Sequence, residues 1–143
     1  MRNAEPPNEE APSGGDGPGE AKNKPSGRAE FDLEERTARF GEDVIALLKE
    51  VPETRVTGRI IEQLVASAGS VGANYAEADD TVTRKDFRHK IGLCRKESRE
   101  SKLWLRLLAK AHPPLRDKAR ALWREAKELN LIFSRIFRSC SDE

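Results

Sequence analysis

The sequence predicts an all-α protein, an up-down-up-down antiparallel four-helix bundle preceded by a disordered N-terminal tail. Two observations predict the bundle: from Phe31 onward apolar residues recur every three or four positions in four successive runs, and the connections between the runs are short. No run shows the alternation that is typical of a strand. A third observation predicts the tail, because residues 2–30 contain no side chain more apolar than alanine.

Residues 1–30 are predicted to be the tail and residues 31–143 the bundle. The tail holds five of the 8 prolines and five of the 10 glycines, a composition that cannot bury enough surface to offset the entropy of ordering. It lacks the apolar segment of a signal peptide, and no later run reaches the roughly 18 apolar residues of a membrane span. We therefore expect a soluble, cytoplasmic protein that does not contact a membrane.

The first two helices are predicted at about 31–51 and 56–79. The first ends before Pro52, and its apolar face comprises Phe40, Val44, Leu47 and Val51. The apolar face of the second comprises Ile60, Leu64, Ala68, Val71, Tyr75 and Ala78. The segment at 79–83 breaks the pattern, so it is predicted to be the connection to the third helix.

The third and fourth helices are predicted at about 84–111 and 114–138. Thr83 followed by Asp86 resembles a capping box with Asp in place of the usual Glu, and Pro114 suits the first turn of the fourth helix. The third helix has a 4-3 repeat typical of a core face: Phe87, Ile91, Cys94, Ser98, Ser101, Leu105 and Leu108. The fourth has a similar face: Leu115, Ala119, Leu122, Ala126, Leu129, Phe133 and Ile136.

Several large apolar residues lie outside these two core faces. Trp104, Leu107 and Trp123 are the clearest of them. They indicate either a broad core face or a second face for self-association, where tryptophan is a typical anchor. We favour the second interpretation and predict that these three residues belong to an oligomer face.

The second helix carries a small-residue stripe beside a polar one. Gly69 and Gly72 lack the sequence context of a phosphate-binding loop, so we predict that they allow close approach of a neighbouring helix. The polar edge comprises Gln63, Ser70, Asn74 and Glu77. Asn74 and Glu77 are placed to bond a neighbouring helix and set its register, or else they simply face water.

Charge is distributed unevenly although the net charge is only +1. Residues 31–54 carry three basic and seven acidic side chains, whereas residues 84–110 carry ten basic and three acidic ones. Such asymmetry indicates either internal complementarity between helices or a partner with phosphates. On the second interpretation, the residues that contact nucleic acid are Arg84, Lys85, Arg88, Arg95, Arg99, Lys102 and Arg106.

No catalytic constellation is evident. His89 and His112 do not combine with cysteine or carboxylates at metal-ligand spacing, and a Cys94–His89 dyad would have its members far apart around one helix. Cys94 and Cys140 are predicted to be free thiols in a reducing cytosol. We expect no enzyme activity, no cofactor, no metal and no small-molecule substrate.

The residues of helices two and three resemble a family of small bacterial four-helix-bundle proteins related to the 23S rRNA intervening-sequence protein, which includes the accessory protein of diversity-generating retroelements. The resemblance spans about residues 36–138, and the string Ser-Val-Gly-Ala-Asn-Tyr at 70–75 makes it specific. The matching positions in the second helix are Gln63, Leu64, Ser67, Ser70, Val71, Gly72, Ala73, Asn74, Tyr75, Glu77 and Ala78. Those in the third are Phe87, Lys90, Gly92, Lys96, Glu97, Glu100, Trp104, Leu105, Leu107 and Leu108.

The resemblance implies a ring-like homopentamer. It also implies a basic surface, since the retroelement relative binds reverse transcriptase and nucleic acid through such a surface. Ala66 and Ala76 stand where the family pattern usually carries arginine, so those two basic positions do not transfer to this chain.

We therefore predict a non-enzymatic, oligomeric interaction module that binds RNA, DNA or a nucleoprotein partner through the basic third helix. The alternative is a purely structural homo-oligomeric assembly protein, in which the acidic first helix of one copy contacts the basic third helix of the next and no nucleic acid is bound.

Overall fold

The computed structural model describes residues 32–140, and its compact helical unit begins at Glu34. It contains four α-helices: α1 (Leu33–Leu48), α2 (Arg55–Asp79), α3 (Arg84–Ala111) and α4 (Arg116–Ser139). A short 3-10 helix (Pro113–Leu115) joins α3 to α4, and the described residues contain no strand. The predicted all-α class is confirmed. The predicted tail, residues 1–30, lies outside the described residues.

Neighbouring helices run antiparallel around the bundle in the order α1, α2, α3, α4. In each pair of neighbouring helices, the residue numbers of the contacting side chains increase along one helix and decrease along the other. Between α1 and its two neighbours the contacts are Thr37 with Gly72, Gly41 with Ala68, Arg36 with Glu125, and Glu50 with Lys118. Around α3 they are Ser67 with Ser101, Glu77 with Lys90, Arg95 with Asn130, and Arg88 with Phe137. The predicted up-down-up-down topology is confirmed.

A threonine caps the N-terminus of each of the two middle helices, α2 and α3. The Thr54 side chain accepts a hydrogen bond from the Thr57 N–H at 3.1 Å, and the Thr57 hydroxyl accepts one from the Thr54 N–H at 2.8 Å. This reciprocal pair satisfies two amide groups that have no partner within the helix. At α3, Thr83 Oγ1 accepts from the Asp86 N–H at 3.1 Å, which is the bond that the threonine of the predicted capping box supplies.

Two helix ends differ from the predicted ones, both beside proline. α1 ends at Leu48 rather than at 51, because Glu50 and Val51 donate to Leu47 and Leu48 in tighter turns that lead into Pro52. Pro114 lies in the 3-10 helix and not in the first turn of α4. A residue that precedes proline disfavours the α conformation, so the Pro113–Pro114 pair delays the start of α4 to Arg116.

Small polar side chains occupy part of the buried face of α3. Cys94, Ser98 and Ser101 are completely buried, as their 4-3 spacing predicts. Ser101 shares a hydrogen bond of 2.9 Å with Ser67 of α2, and the Cys94 thiol donates to the Val71 carbonyl oxygen at 3.7 Å. Because these groups have partners, their burial costs little, and the small side chains let α2 and α3 approach closely.

Candidate nucleic-acid interface

Basic side chains from two helices line the outer groove between α3 and α4, which we call the basic groove. A recess of about 610 Å³, which we call the connection recess, lies at the α3–α4 connection, and its basic lining residues are Arg106, Lys110, Arg116, Arg120 and Arg124. Two further recesses lie along α3 towards its N-terminus. Their basic lining residues are Arg84, Lys85, Arg88, Arg95, Lys96 and Arg99.

Acidic side chains are absent from the lining of these three recesses among residues 32–140. On α3, Glu100 accepts a hydrogen bond from Trp104 on the other side of the helix, away from α4. On α4, Glu125 holds Arg36 of α1 in a two-bond ion pair at 2.7 and 3.0 Å, and this bond raises the pKa of Arg36. Among the described residues, basic side chains are therefore concentrated between α3 and α4, where Arg116 also pairs with its neighbour Asp117 at 3.9 Å.

At the N-terminal end of α3 the groove is built around Phe137. The guanidinium carbon of Arg88 lies 3.8 Å from the ring centroid and that of Arg95 lies 4.7 Å from it, so two cations cover the aromatic surface. Gly92 makes room for the ring, because a Cβ at this position would lie 3.1 Å from a Phe137 ring carbon. The buried Nε of Arg88 has no hydrogen-bond partner within the described residues, so its contact with the ring is the interaction that holds it.

Trp123 lines the connection recess at the opposite end of the groove. The Nζ atoms of Lys102 and Lys127 lie 5.5 and 5.6 Å from its ring. These distances are near the outer limit of a cation–π contact, and lysine side chains are flexible. Unlike Phe137, Trp123 therefore offers an aromatic surface that a ligand can reach by displacing lysine ammonium groups.

Asn130 fixes the alignment of the two helices midway along the groove. Its Nδ2 donates to the Arg95 carbonyl oxygen at 2.8 Å and to Ser98 Oγ at 3.4 Å. The Arg95 carbonyl lies on a completely helical segment, so the bond ties the α4 side chain directly to the α3 backbone. The spacing of the charged side chains across the groove is thereby set by the fold.

The structure places all seven sequence-predicted basic residues along the basic groove. Six line its recesses, and Lys102 lies over the Trp123 ring. Sequence analysis missed the contribution of α4, namely Arg116, Arg120, Arg124 and Lys127. The four-residue spacing of the three arginines was a signal that they share one helix face, but it does not show which neighbour that face meets.

The predicted polar edge of α2 is only partly directed at a neighbouring helix. Glu77 forms an ion pair with Lys90 of α3, whereas Asn74 Nδ2 donates to the Ser70 carbonyl oxygen of its own helix at 2.9 Å. Gln63 is half-buried. Among the described residues, the side-chain bonds that cross between α2 and α3 within the core are Ser67 with Ser101 and the Cys94 thiol to the Val71 carbonyl oxygen, neither of which involves the predicted polar edge.

The two glycines of α2 have different surroundings. A Cβ at Gly72 would lie 3.4 Å from Thr37 Oγ1 and 3.6 Å from the Thr37 backbone, so α1 passes closely there. A Cβ at Gly69 would meet no atom within 4 Å among the described residues. Gly72 thus lies against α1, whereas Gly69 faces outward from the bundle, and its close approach to a neighbouring helix stays a prediction for a second copy of the chain.

The predicted oligomer-face residues do not form one patch. Trp123 contacts Lys102 on the α4 side of α3, whereas Trp104 follows Lys102 by two positions and so lies about 200° further around that helix. Leu107 is 39% exposed, one helical turn beyond Trp104. Trp104 and Leu107 can thus share a surface, but Trp123 belongs to the basic groove.

The two cysteines have different surroundings: Cys94 is buried in the core, whereas Cys140 lines the same recess as His89. Burial raises the pKa of the Cys94 thiol to about 12, so this thiol is neutral in the folded protein, while Cys140 is half-exposed. Within residues 32–140, no three His, Cys, Asp or Glu side chains are grouped to hold a metal ion. Each described helix is too short or too polar to cross a membrane.

A family model described as the 23S rRNA-intervening sequence protein matches residues 29–135. The chain belongs to this family. The predicted family resemblance is confirmed, and the match covers all of the basic groove except the last turn of α4. No curated protein matches the chain.

Among solved structures, the chain is similar to a protein of unknown function from the S23 ribosomal protein family of Bacteroides thetaiotaomicron VPI-5482. The two are 26% identical with a TM-score of 0.65, and the match covers 73% of this chain and 96% of that one. The fold of this chain is thus similar to that solved structure over nearly the whole length of the latter.

Proposed function

We propose that this chain is a non-enzymatic cytoplasmic module that binds nucleic acid, free or in a nucleoprotein, through the basic groove. The observation that carries the proposal is the segregation of charge: cations from α3 and α4 converge on one groove whose lining contains no carboxylate among the described residues. Internal complementarity accounts for little of this arrangement among the described residues, because Glu125 of α4 pairs with Arg36 of α1, and the pair between the groove residue Arg116 and its neighbour Asp117 is long, at 3.9 Å.

Phosphates are the partners that such a groove fits best. Arginine presents fixed donors to phosphate oxygens, and displaced counterions add to the free energy of binding. Most contacts would be made to the sugar–phosphate backbone, so the groove alone predicts weak dependence on base sequence. The family description, which refers to an intervening sequence of 23S rRNA, supports RNA as the first ligand to test.

Fluorescence anisotropy of labelled RNA and DNA oligonucleotides tests the proposal. If a single strand makes about six phosphate contacts, its affinity should fall about 300-fold between roughly 50 and 200 mM salt. Absence of binding to every oligonucleotide at about 20 mM salt, where counterion release favours binding most, would exclude the proposal.

A second candidate function, homo-oligomeric assembly without nucleic acid, is supported by the outer face of α2. Val65 is 40% exposed, Gly69 has open space beside it, and Ala66, Ala73 and Ala76 are exposed on the same helix. A face of small side chains of this kind can pack closely against another copy, and the family resemblance suggests a homopentamer. The acidic side chains of α1 would then contact the basic groove of a neighbouring copy.

Light scattering after nuclease treatment separates the two candidates. The assembly function predicts a particle of several copies whose mass is unchanged by nuclease and which dissociates in the Gly69→Leu variant. It also predicts no binding of oligonucleotides to that particle. A monomer at micromolar concentration would exclude assembly as the function, whereas an oligomer that also binds RNA would show that both surfaces are used.

A further inference from the structure

We infer that the connection recess of the basic groove receives one unpaired base, which stacks on Trp123, and that the ligand is therefore single-stranded nucleic acid. This inference rests on the proposed function, since it assumes that the groove binds nucleic acid. To the proposed function it adds that the ligand is single-stranded and that Trp123 is the residue that distinguishes single strands from duplexes.

The recess has the composition that a base needs. Its floor is apolar, formed by Trp123 with Leu105 and Ala119, and its rim carries the arginines described above. Its volume of about 610 Å³ lies within the roughly 300–1,000 Å³ of small-molecule sites. An aromatic and aliphatic lining beside several arginines matches a nucleotide, whose base is planar and apolar on its faces and whose phosphate is anionic.

Of the two aromatic side chains in the groove, Trp123 is the one that can accept a base. The Phe137 ring is covered by Arg88 at 3.8 Å and pressed against Gly92, so a base would have to displace a packed guanidinium. Over Trp123 the lysine ammonium groups are 5.5 and 5.6 Å from the ring. When a base replaces them, Lys102 and Lys127 can swing to the flanking phosphates, so their charges still contribute to binding.

Single strands are favoured because their bases are already unpaired. A duplex would have to extrude a base from its stack, at a cost of a few kcal/mol, before that base could reach the floor of the recess. Base–aromatic stacking does not depend on which base is present, so the recess would distinguish single strands from duplexes without reading sequence.

The test compares two oligonucleotides with identical phosphates. One is oligothymidylate of about 12 nucleotides, within the usual site size of single-strand binders, and the other has the same length but contains abasic residues throughout. We expect the wild-type chain to bind the first about tenfold more tightly than the second. Trp123→Leu should abolish that difference, and the matched control Trp104→Leu should preserve it.

Tryptophan fluorescence gives an independent measurement that does not require the Trp123→Leu variant to fold. In Trp104→Phe the sole tryptophan is Trp123, and oligothymidylate should quench its emission while the abasic strand should not. In Trp123→Phe the sole tryptophan is Trp104, whose emission should be unchanged by either strand.

Three results would overturn the inference. Equal binding of the two strands with normal salt dependence would leave the proposed function intact and exclude base stacking. Equal loss of affinity in Trp123→Leu and Trp104→Leu would show a general effect on the fold. Failure of both strands to bind at low salt would overturn the proposed function and the inference together.

Discussion

Reversing two charges on α4 tests whether this helix, which sequence analysis did not assign to the interface, contributes to binding. In the double variant Arg120→Glu, Arg124→Glu, each change removes an attraction to phosphate and adds a repulsion. At about 6 Å in water one such charge pair is worth about 0.7 kcal/mol, so each reversal costs about 1.4 kcal/mol and the two together about 2.8 kcal/mol. We therefore expect about 100-fold weaker RNA binding at low salt.

Salt reduces this effect in a calculable way. At 0.1 M salt the screening length is about 10 Å, which roughly halves the energies at this separation and leaves a loss of about tenfold. The slope of log K against log salt should also fall by about 1.4, the value for two phosphate contacts with a single strand. Anisotropy titrations of one labelled RNA at several salt concentrations measure both quantities.

The matched control changes the net charge equally on another surface. Lys49 and Arg59 are exposed and lie outside the basic groove, so Lys49→Glu, Arg59→Glu alters the charge by the same amount. Little change in affinity is expected for this control beyond the small effect of net charge. Equal losses in the two double variants, or no loss in the α4 variant, would refute the assignment of binding to the groove.

Three further predictions concern the fold. Gly69→Ala should raise the free energy of unfolding by about 1 kcal/mol and Tm by about 4 °C, because the added Cβ meets no other atom of the described bundle. Gly72→Leu should lower Tm because its side chain would collide with α1, and thermal melts that show the reverse order would contradict this packing. Only Cys140 should react promptly with a thiol reagent in native protein, and Cys94 only after unfolding; two prompt thiols would contradict the burial of Cys94. The pKa of Cys94 is about 12 in the folded state against a usual 9.0, so as the pH rises the unfolded chain loses this proton first. Between these two pH values the free energy of unfolding should fall with rising pH by about 1.4 kcal/mol per pH unit more than in Cys94→Ala. Equal pH slopes for the two proteins in denaturant titrations would exclude this linkage.

The topology and core were largely predictable because helical periodicity identifies which residues are buried. Cys94, Ser98 and Ser101 would be unremarkable by hydropathy alone, yet their 4-3 spacing correctly places them in the α3 core. Helix ends were less predictable where proline interrupts the chain, as at Pro114, because a 3-10 turn and the first turn of an α-helix accept the same residue.

The candidate site was only half predictable, because periodicity does not show which helix a given face meets. The charge of α3 was evident along the chain, but the arginines of α4 join it only through the antiparallel pairing of the two helices. Gly92 is another example: its function depends on Phe137, a residue 45 positions away that it meets only in the folded bundle. For the same reason Gly69 and Gly72 look equivalent in sequence although only Gly72 contacts α1.

Photo-crosslinking of the full chain to RNA containing 4-thiouridine, followed by mass spectrometry of the peptides, tests the central claim most directly because it locates the bound strand. The basic groove predicts crosslinks to peptides of α3 and α4, including the one that contains Trp123, and their loss in Arg120→Glu, Arg124→Glu. Crosslinks confined to peptides of α1 and α2, or crosslinks to α3 and α4 that persist unchanged in that variant, would contradict it.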